Sequence, residues 1–240
     1  MKKFLASLLC VVLLCTSFAV PVMAATTQKA SINVAEYNQK QEQSTKNIQV
    51  QDKAIKTLKR YLKLTKNGNI VLNAPKKVIK EIGEANYNTL LEGVKQTNQM
   101  IDKGYLRSDK DFNITVTQKY VSSNDQLKSV GSTIYLENSQ TTSLQSVTAA
   151  ANLNKVVWYW WGFKVYLNSK NSNKIAAGSG ILGVLAILIP DLTLSKAVAV
   201  CLGVNSGLYY YANAAGRGTY TRFNYAPPVT PLVFTGVFSQ

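Results

Sequence analysis

The rhythm of hydrophobic and polar positions changes several times along this chain, and each rhythm predicts a different element. Residues 25–51 are rich in Gln, Asn, Thr and Lys with few large apolar side chains, which predicts a flexible arm or a weak helix. Between 52 and 66, Ala54, Ile55, Leu58, Tyr61 and Leu62 share one side of a helical wheel. Lys53, Lys56, Lys59, Arg60 and Lys63 share the other, so a basic amphipathic helix is expected. Asn67-Gly68 is a turn signal with a short strand behind it at 70–72. Pro75 opens a short helix over 76–82 that Gly83 ends. A longer helix from Asn86 carries Tyr87, Leu90, Leu91, Val94 and Ile101 on one face and stops at Lys103-Gly104. Alternation over 113–121 predicts a half-buried strand. Together these form a small helix-rich α+β module over residues 52–121. Residues 122–154 turn to Ser, Thr, Asn and Gln, with one strand at 133–136, and read as a polar linker.

The last third is patterned differently. Residues 156–167 read V-V-W-Y-W-W-G-F-K-V-Y-L, whose β-branched and aromatic content predicts a strand with a bulge or kink at Gly162. Two uncharged apolar runs follow, at 175–189 and 197–215. Pro190-Asp191 stops the first, because proline cannot continue a helix, and Ser195 is placed to cap the second. Together they predict a helical hairpin. Residues 219–225 alternate again, and a hairpin brings its two flanks together, so 162–168 should pair antiparallel with 219–225. Pro227, Pro228 and Pro231 interrupt regular structure, and the apolar tail at 229–238 is expected to pack on the same sheet. The fold class is therefore α+β: a helix-rich amino-terminal module, then a hydrophobic helical hairpin flanked by two antiparallel strands, the latter spanning residues 155–240.

The amino terminus sets the compartment. Lys2 and Lys3 precede a nearly continuous apolar run, and Val22-Met23-Ala24 offers the small residues of a signal-peptidase site, so residues 1–24 read as a cleavable signal peptide. An uncleaved amino-terminal anchor is the alternative. Cys10 and Cys15 would leave with the signal, so that the mature chain keeps only Cys201 and no internal disulfide. There is no histidine, which removes His-dependent nucleophilic catalysis and the commonest metal ligand. The 12 carboxylates form no spaced pair or cluster. Neither enzyme chemistry nor a cofactor nor a metal is expected. The net charge of +15 would suggest nucleic acid inside a cell; outside one it points to anionic lipid or a cell-wall polymer.

Candidate functional residues cluster in the hairpin. Ile175, Gly180, Gly183, Ile187, Pro190, Ala199, Gly203, Gly207 and Tyr211 outline a membrane-facing or packing surface. Ala199, Gly203 and Gly207 recur at the four-residue spacing that lets helices approach closely in lipid. At ~1.5 Å per residue the first run spans about 22 Å and the second about 28 Å, against a hydrocarbon core of about 30 Å. Trp158, Trp160 and Trp161 upstream are the candidate interface aromatics, with Lys170, Lys174, Arg217 and Arg222 near the same end. The alternative is that these rings fill a core. Lys56, Lys59, Arg60 and Lys63 form the basic helix face that could meet an anionic surface.

Signal peptide, basic module, polar linker and greasy hairpin, taken together, resemble the precursors of secreted bacteriocin-type killing factors of Gram-positive bacteria. The resemblance covers the layout alone, and a precursor of that kind carries a cysteine pair where this chain has only Cys201. It implies an extracellular or envelope-associated, membrane-active product, an immunity protein as partner, and no nucleic acid. The competing expectation is a non-catalytic envelope or matrix protein whose hairpin is a buried core or a homo-oligomer contact.

Overall fold

The computed structural model describes residues 32–136, 152–225 and 232–240. The signal peptide, part of the expected arm and part of the expected linker lie outside them.

The first described element is a helix where an arm or a weak helix was expected. Helix α1 (Val34–Lys59) runs through most of that polar stretch. The Asn33 carboxamide caps it by accepting from Glu36 N at 2.8 Å. Glu36–Lys40 and Glu42–Lys46 then pair at the i,i+4 spacing. Tertiary contacts hold it further: Tyr37 stacks on Tyr211 at 5.0 Å, and the Gln41 amide donates to Val237 O at 2.6 Å. Composition missed all three supports. The amphipathic face expected over 52–66 is present only to Lys59, with Ala54 and Leu58 buried and Lys56 and Lys59 exposed; Arg60 caps the helix, and buried Leu62 and exposed Lys63 already belong to the next strand.

A β-hairpin follows, β1 (Leu62–Leu64) and β2 (Ile70–Leu72), turned at Gly68 with φ 83°. Then come α2 (Lys76–Ile82) and α3 (Glu84–Asp102), separated by Gly83 at φ 86°. The predicted strand at 113–121 is shorter than expected: β3 (Leu106–Ser108) pairs with β4 (Ile114–Val116), and Gln118–Val121 is a helical turn, α4.

Six strands make the main sheet, in the order β10-β9-β8-β7-β6-β5, every neighbour antiparallel. They are β5 (Leu127–Val130), β6 (Thr133–Leu136), β7 (Lys155–Tyr159), β8 (Gly162–Leu167), β9 (Thr219–Tyr225) and β10 (Leu232–Ser239). β5 and β6 fall within the expected linker, whose described part is thus sheet; only 133–136 announced itself in the sequence. Residues 156–167 are two strands rather than one, because Trp160 and Trp161 turn the chain and Gly162 pairs with Tyr159. The expected pairing is observed in register, from Gly162↔Asn224 to Leu167↔Thr219, and the apolar tail adds β10 beyond it.

Between β8 and β9 the chain does not form a two-helix hairpin. It forms four short helices, α5 (Ser169–Ala176), α6 (Leu182–Leu188), α7 (Leu192–Val204) and α8 (Ser206–Ala212). Gly178, at φ 77°, ends α5; Pro190 ends α6; and the chain bends by 72° between α7 and α8 at Asn205. Asp191, not Ser195, caps α7, accepting from Leu194 N at 3.0 Å.

Alternation splits the sheet into two faces. Trp158, Phe163, Val165, Leu167, Thr219, Thr221 and Phe223 lie on one, where Tyr209 hydrogen-bonds Thr221 and Ser172 hydrogen-bonds Thr219 from the helical insert. Lys164, Tyr166, Tyr220 and Arg222 lie on the other. One contiguous core joins residues of α1 and α3 to the sheet and the insert. α3 packs directly on the Trp160–Trp161 turn: a Cβ added at Gly93 would sit 2.6 Å from Trp161 O. Gly203, on the outer side of α7, has nothing within 4 Å of such a Cβ.

These two glycines give a paired prediction. Gly93→Ala should destabilise by about 1–3 kcal/mol, because helix and turn must separate. Gly203→Ala should stabilise by up to about 1 kcal/mol through helix propensity alone. Urea unfolding of both variants checks the signs, and equal effects would contradict this packing.

Candidate functional site

Two surfaces carry chemistry worth weighing, one on each side of the main sheet. The first is the outer side of the helical insert. Its inner side is sealed: Ile175, Leu185, Leu188, Val198, Leu202, Leu208, Tyr209 and Ala212 are buried. Polar bonds stitch it down. Tyr120 Oη donates to Leu188 O at 2.6 Å, Lys103 Nζ lies 2.9 Å from Asp191, and Tyr211 Oη donates to Ile32 O at 2.9 Å. At the base, Asn213 Nδ2 donates to Ser169 O, Ser169 Oγ and Asn173 Oδ1, while Asn213 Oδ1 accepts from Gly218 N. Burial would raise the Asp191 carboxyl pKa, but the Leu194 N–H and the Lys103 ammonium outweigh it and hold the group lowered.

The outer side is different. Leu192, Val200 and Val204 are 56%, 60% and 78% exposed, and Leu182 and Tyr210 are exposed as well. Residues 192, 196, 200 and 203–204 recur at helical spacing, so Leu192, Lys196, Val200, Gly203 and Val204 form one ridge along α7. Gly180, Gly183 and Gly203 are exposed with open space around them, so they do not serve close helix packing among the described residues. Gly207 is buried, and Ile187, Pro190, Ala199 and Tyr211 are half-buried. No helix among the described residues is long and apolar enough to cross a membrane; α7 with α8 reaches that length only as the bent pair.

The interface aromatics need correction. Trp158, Trp160 and Trp161 are 1%, 5% and 6% exposed, so all three are core or turn residues and none is free to anchor in a bilayer. Arg222, expected near the surface, is also buried. The basic residues at 56, 59, 60 and 63 are exposed on the amino-terminal module rather than on the insert. Lys170, Lys174 and Arg217 are exposed around the insert's base.

The second surface is the polar face of the sheet. Lys164 on β8 stands directly opposite Arg222 on β9. The guanidinium carbon lies 4.1 Å from the centre of the Trp161 ring, and Nη1 donates to Asp52 Oδ1 at 2.6 Å. Its Nε and Nη2, both buried, have no hydrogen-bond partner. A buried donor left so costs about 1–3 kcal/mol. Tyr159 and Trp161 stack at 4.7 Å, and Tyr166, Tyr220 and Phe238 stack in series at 5.4 and 5.2 Å. Burial first, then the neighbouring Arg222, lowers the Lys164 ammonium pKa, against an opposite pull from Asp52. Sequence reasoning overlooked Lys164: the expected antiparallel pairing of 162–168 with 219–225 left the register open, and it is the observed register that sets 164 against 222.

An open groove of about 570 Å³ between β2 and α3, with Val71 and Leu91 on its walls, brings together no acid–base pair. Among the described residues no group of three or more metal-ligating side chains converges. The half-buried Cys201 thiol is pushed up by burial, away from nucleophilic character. No family model, curated protein or solved structure matches this chain.

The buried phenols predict alkaline lability. Burial raises Tyr120, Tyr159, Tyr209, Tyr220 and Tyr225, and pushes Tyr166 up to about 12. A phenol whose folded pKa exceeds its unfolded value keeps its full contribution below about pH 10, then loses it as pH climbs through the folded value. Lys155 and Lys164, both lowered, act in the opposite sense but are fewer. Stability should therefore fall from about pH 10 upward. Tyrosinate absorbance should rise together with loss of secondary structure; smooth ionisation near pH 10 with the fold intact would contradict this.

Proposed function

We propose that this chain is an exported, cationic, membrane-active protein, bacteriocin- or toxin-like, that docks on anionic membranes through the outer side of its helical insert and performs no chemistry. The single observation that carries this is the α7 ridge. Leu192, Val200 and Val204 expose apolar side chains beside Lys196 on a helix whose opposite side is core. Fully burying such a side chain is worth about 1.5–3 kcal/mol, and each lysine near an anionic surface adds roughly 1 kcal/mol. A few such residues suffice for interfacial binding, and the +15 net charge favours encounter with anionic surfaces. At ~1.5 Å per residue α7 lies along about 20 Å of surface. A helix of that length is short of the roughly 30 Å hydrocarbon core, so the proposed contact runs along the surface rather than across it. The hydrophobic hairpin read from the sequence becomes, in this proposal, a folded docking module.

Export through a cleaved signal peptide, an extracellular or envelope location and an immunity partner belong to the same proposal. A second reading has its own support. The insert's inner side supplies buried core to the sheet, as in a non-catalytic envelope protein, where the ridge would meet a second copy or a cell-wall polymer.

Vesicle partitioning tests the proposal. The mature protein should bind phosphatidylglycerol vesicles and bind phosphatidylcholine vesicles much less. Val200→Asp with Val204→Asp, both at exposed positions, should lower the partition coefficient at least about tenfold while leaving thermal stability unchanged. Unchanged partitioning of that double variant would remove the ridge from the mechanism. Concentration-dependent self-association lost in the same variant would favour the second reading.

A further inference from the structure

The polar face of the sheet holds an electrostatic conflict that the fold does not resolve by itself. Lys164 and Arg222 are directly opposed across the β8–β9 ladder, where like charges are destabilising. The Arg222 side chain is 3% exposed, and its only ion-pair partner among the described residues is Asp52, itself 59% exposed. That carboxylate takes Nη1 alone. Nε and Nη2 lie along the other edge of the planar guanidinium, and this edge is the fork that matches two oxygens of a carboxylate or phosphate. Both atoms are buried and unpaired.

The surroundings hold the fork in place. Trp161 lies against the guanidinium and its ring stacks on Tyr159 at 4.7 Å, while Gly93 of α3 packs on its backbone carbonyl. The Lys164 Nζ lies 5.7 Å from the centre of the Tyr159 ring and 5.6 Å from that of Tyr220, between two half-buried phenols. A stacked guanidinium, a second cation across the ladder and aromatic walls are the parts of an oxyanion receptor, one whose fork stays covered until a ligand displaces what packs over it. A purely structural arginine at this position would have its donors paired, and a structural cross-strand pair would set a carboxylate or a threonine opposite it.

We propose that Arg222 and Lys164 bind an oxyanion group, a carboxylate or phosphate, with two oxygens on the Nε–Nη2 edge and Lys164 closing over it. Asp52 competes for the same guanidinium and limits the affinity. The site lies on the sheet face opposite the docking insert and does not depend on membrane binding.

Thermal unfolding of the intact mature protein in acetate, phosphate and chloride at matched ionic strength tests it, with Trp fluorescence reporting on Trp161. Acetate or phosphate should raise Tm in a saturable way and perturb the fluorescence, whereas chloride should do neither. Lys164→Gln should weaken the anion response at least fivefold, and Asp52→Asn should strengthen it. Arg222→Gln should abolish it, but that variant can fail to fold, so the first two carry the test. Poly(glycerol phosphate) and phosphatidylglycerol vesicles, titrated against the free anions, tell a polymer or headgroup source from a soluble one. Competition by either supports the site, as does binding of the free anions alone. Equal responses to all three salts, or responses unaltered in both Lys164→Gln and Asp52→Asn, would overturn it. The Val200→Asp, Val204→Asp double variant should keep the full anion response, so failure of the membrane proposal leaves this one standing.

Discussion

The antiparallel pairing of β8 with β9 is the constraint on which the rest of the molecule depends. It closes the chain across the whole helical insert, so both ends of the insert must return to one edge of one strand pair. The pairing also decides orientation. A slip of one residue in β9 would send Thr219, Thr221 and Phe223 to the polar face and turn Tyr220 and Arg222 toward the insert. Glycine enforces it at both ends. Gly162 and Gly218, at φ 155° and 86°, sit where a Cβ would collide with Phe223 O and Leu167 O respectively. The terminal Gln240 amide donates to Leu167 O and Thr219 O, clipping the open end of the same pair.

Much of this was legible in the residues, for definable reasons. Alternation gave β9, the Asn67-Gly68 turn gave β2, and the adjacency of the insert's ends gave the antiparallel β8–β9 pairing without its register, while β1 fell in a stretch read as helix. What escaped had no local signal of sufficient strength. The polar half of α1 is held by an Asn33 cap and by long-range bonds from Tyr37 and Gln41, which no composition window contains. The Trp160–Trp161 turn lacks the usual turn chemistry; it is stabilised from outside by α3, through Gly93 and through Thr97, whose hydroxyl donates to the Trp160 carbonyl at 3.3 Å. The two apolar runs read as two helices because apolarity is continuous there, whereas backbone breaks are set by single residues, Gly178, Pro190 and Asn205. At the candidate sites, greasy content pointed to the insert, but it could not say which side of α7 faces outward. The tryptophans, open in the sequence between anchors and core, are core: Trp158 lies on β7 inside the sheet, and Trp160 and Trp161 form the turn that α3 covers.

The two faces of the sheet therefore solve different problems. On the apolar face, the insert supplies hydrocarbon and a few exact polar bonds, and Tyr209, Ser172 and Tyr120 leave few groups unsatisfied. On the other face, cations and rings are packed together, and among the described residues only Asp52 pairs with Arg222. Charge that is poorly balanced inside a fold lowers stability. The cations therefore divide into two kinds: dispersed surface lysines, and one ordered pair, Lys164 and Arg222, opposed across β8 and β9.

How deep the insert can go into a membrane follows from what would have to be undone. Full insertion as a straight hairpin would strip Leu185, Leu188, Val198, Leu202 and Tyr209 from the sheet and break the Tyr120–Leu188 and Asn213 bonds. The stripped side chains would stay apolar in hydrocarbon, but Phe163, Val165, Leu167 and Phe223 of the sheet would be left to water, and at about 1.5–3 kcal/mol for each that approaches the 5–15 kcal/mol that holds a typical domain together. Insertion would therefore amount to unfolding the sheet. Docking by the ridge requires none of these losses, since Leu192, Val200 and Val204 are already outside the core. It also leaves Asp191 paired with Lys103 rather than buried in hydrocarbon. In the proposed function the folded protein meets a bilayer as an interfacial binder, and any deeper step needs an input that first releases the β8–β9 pair.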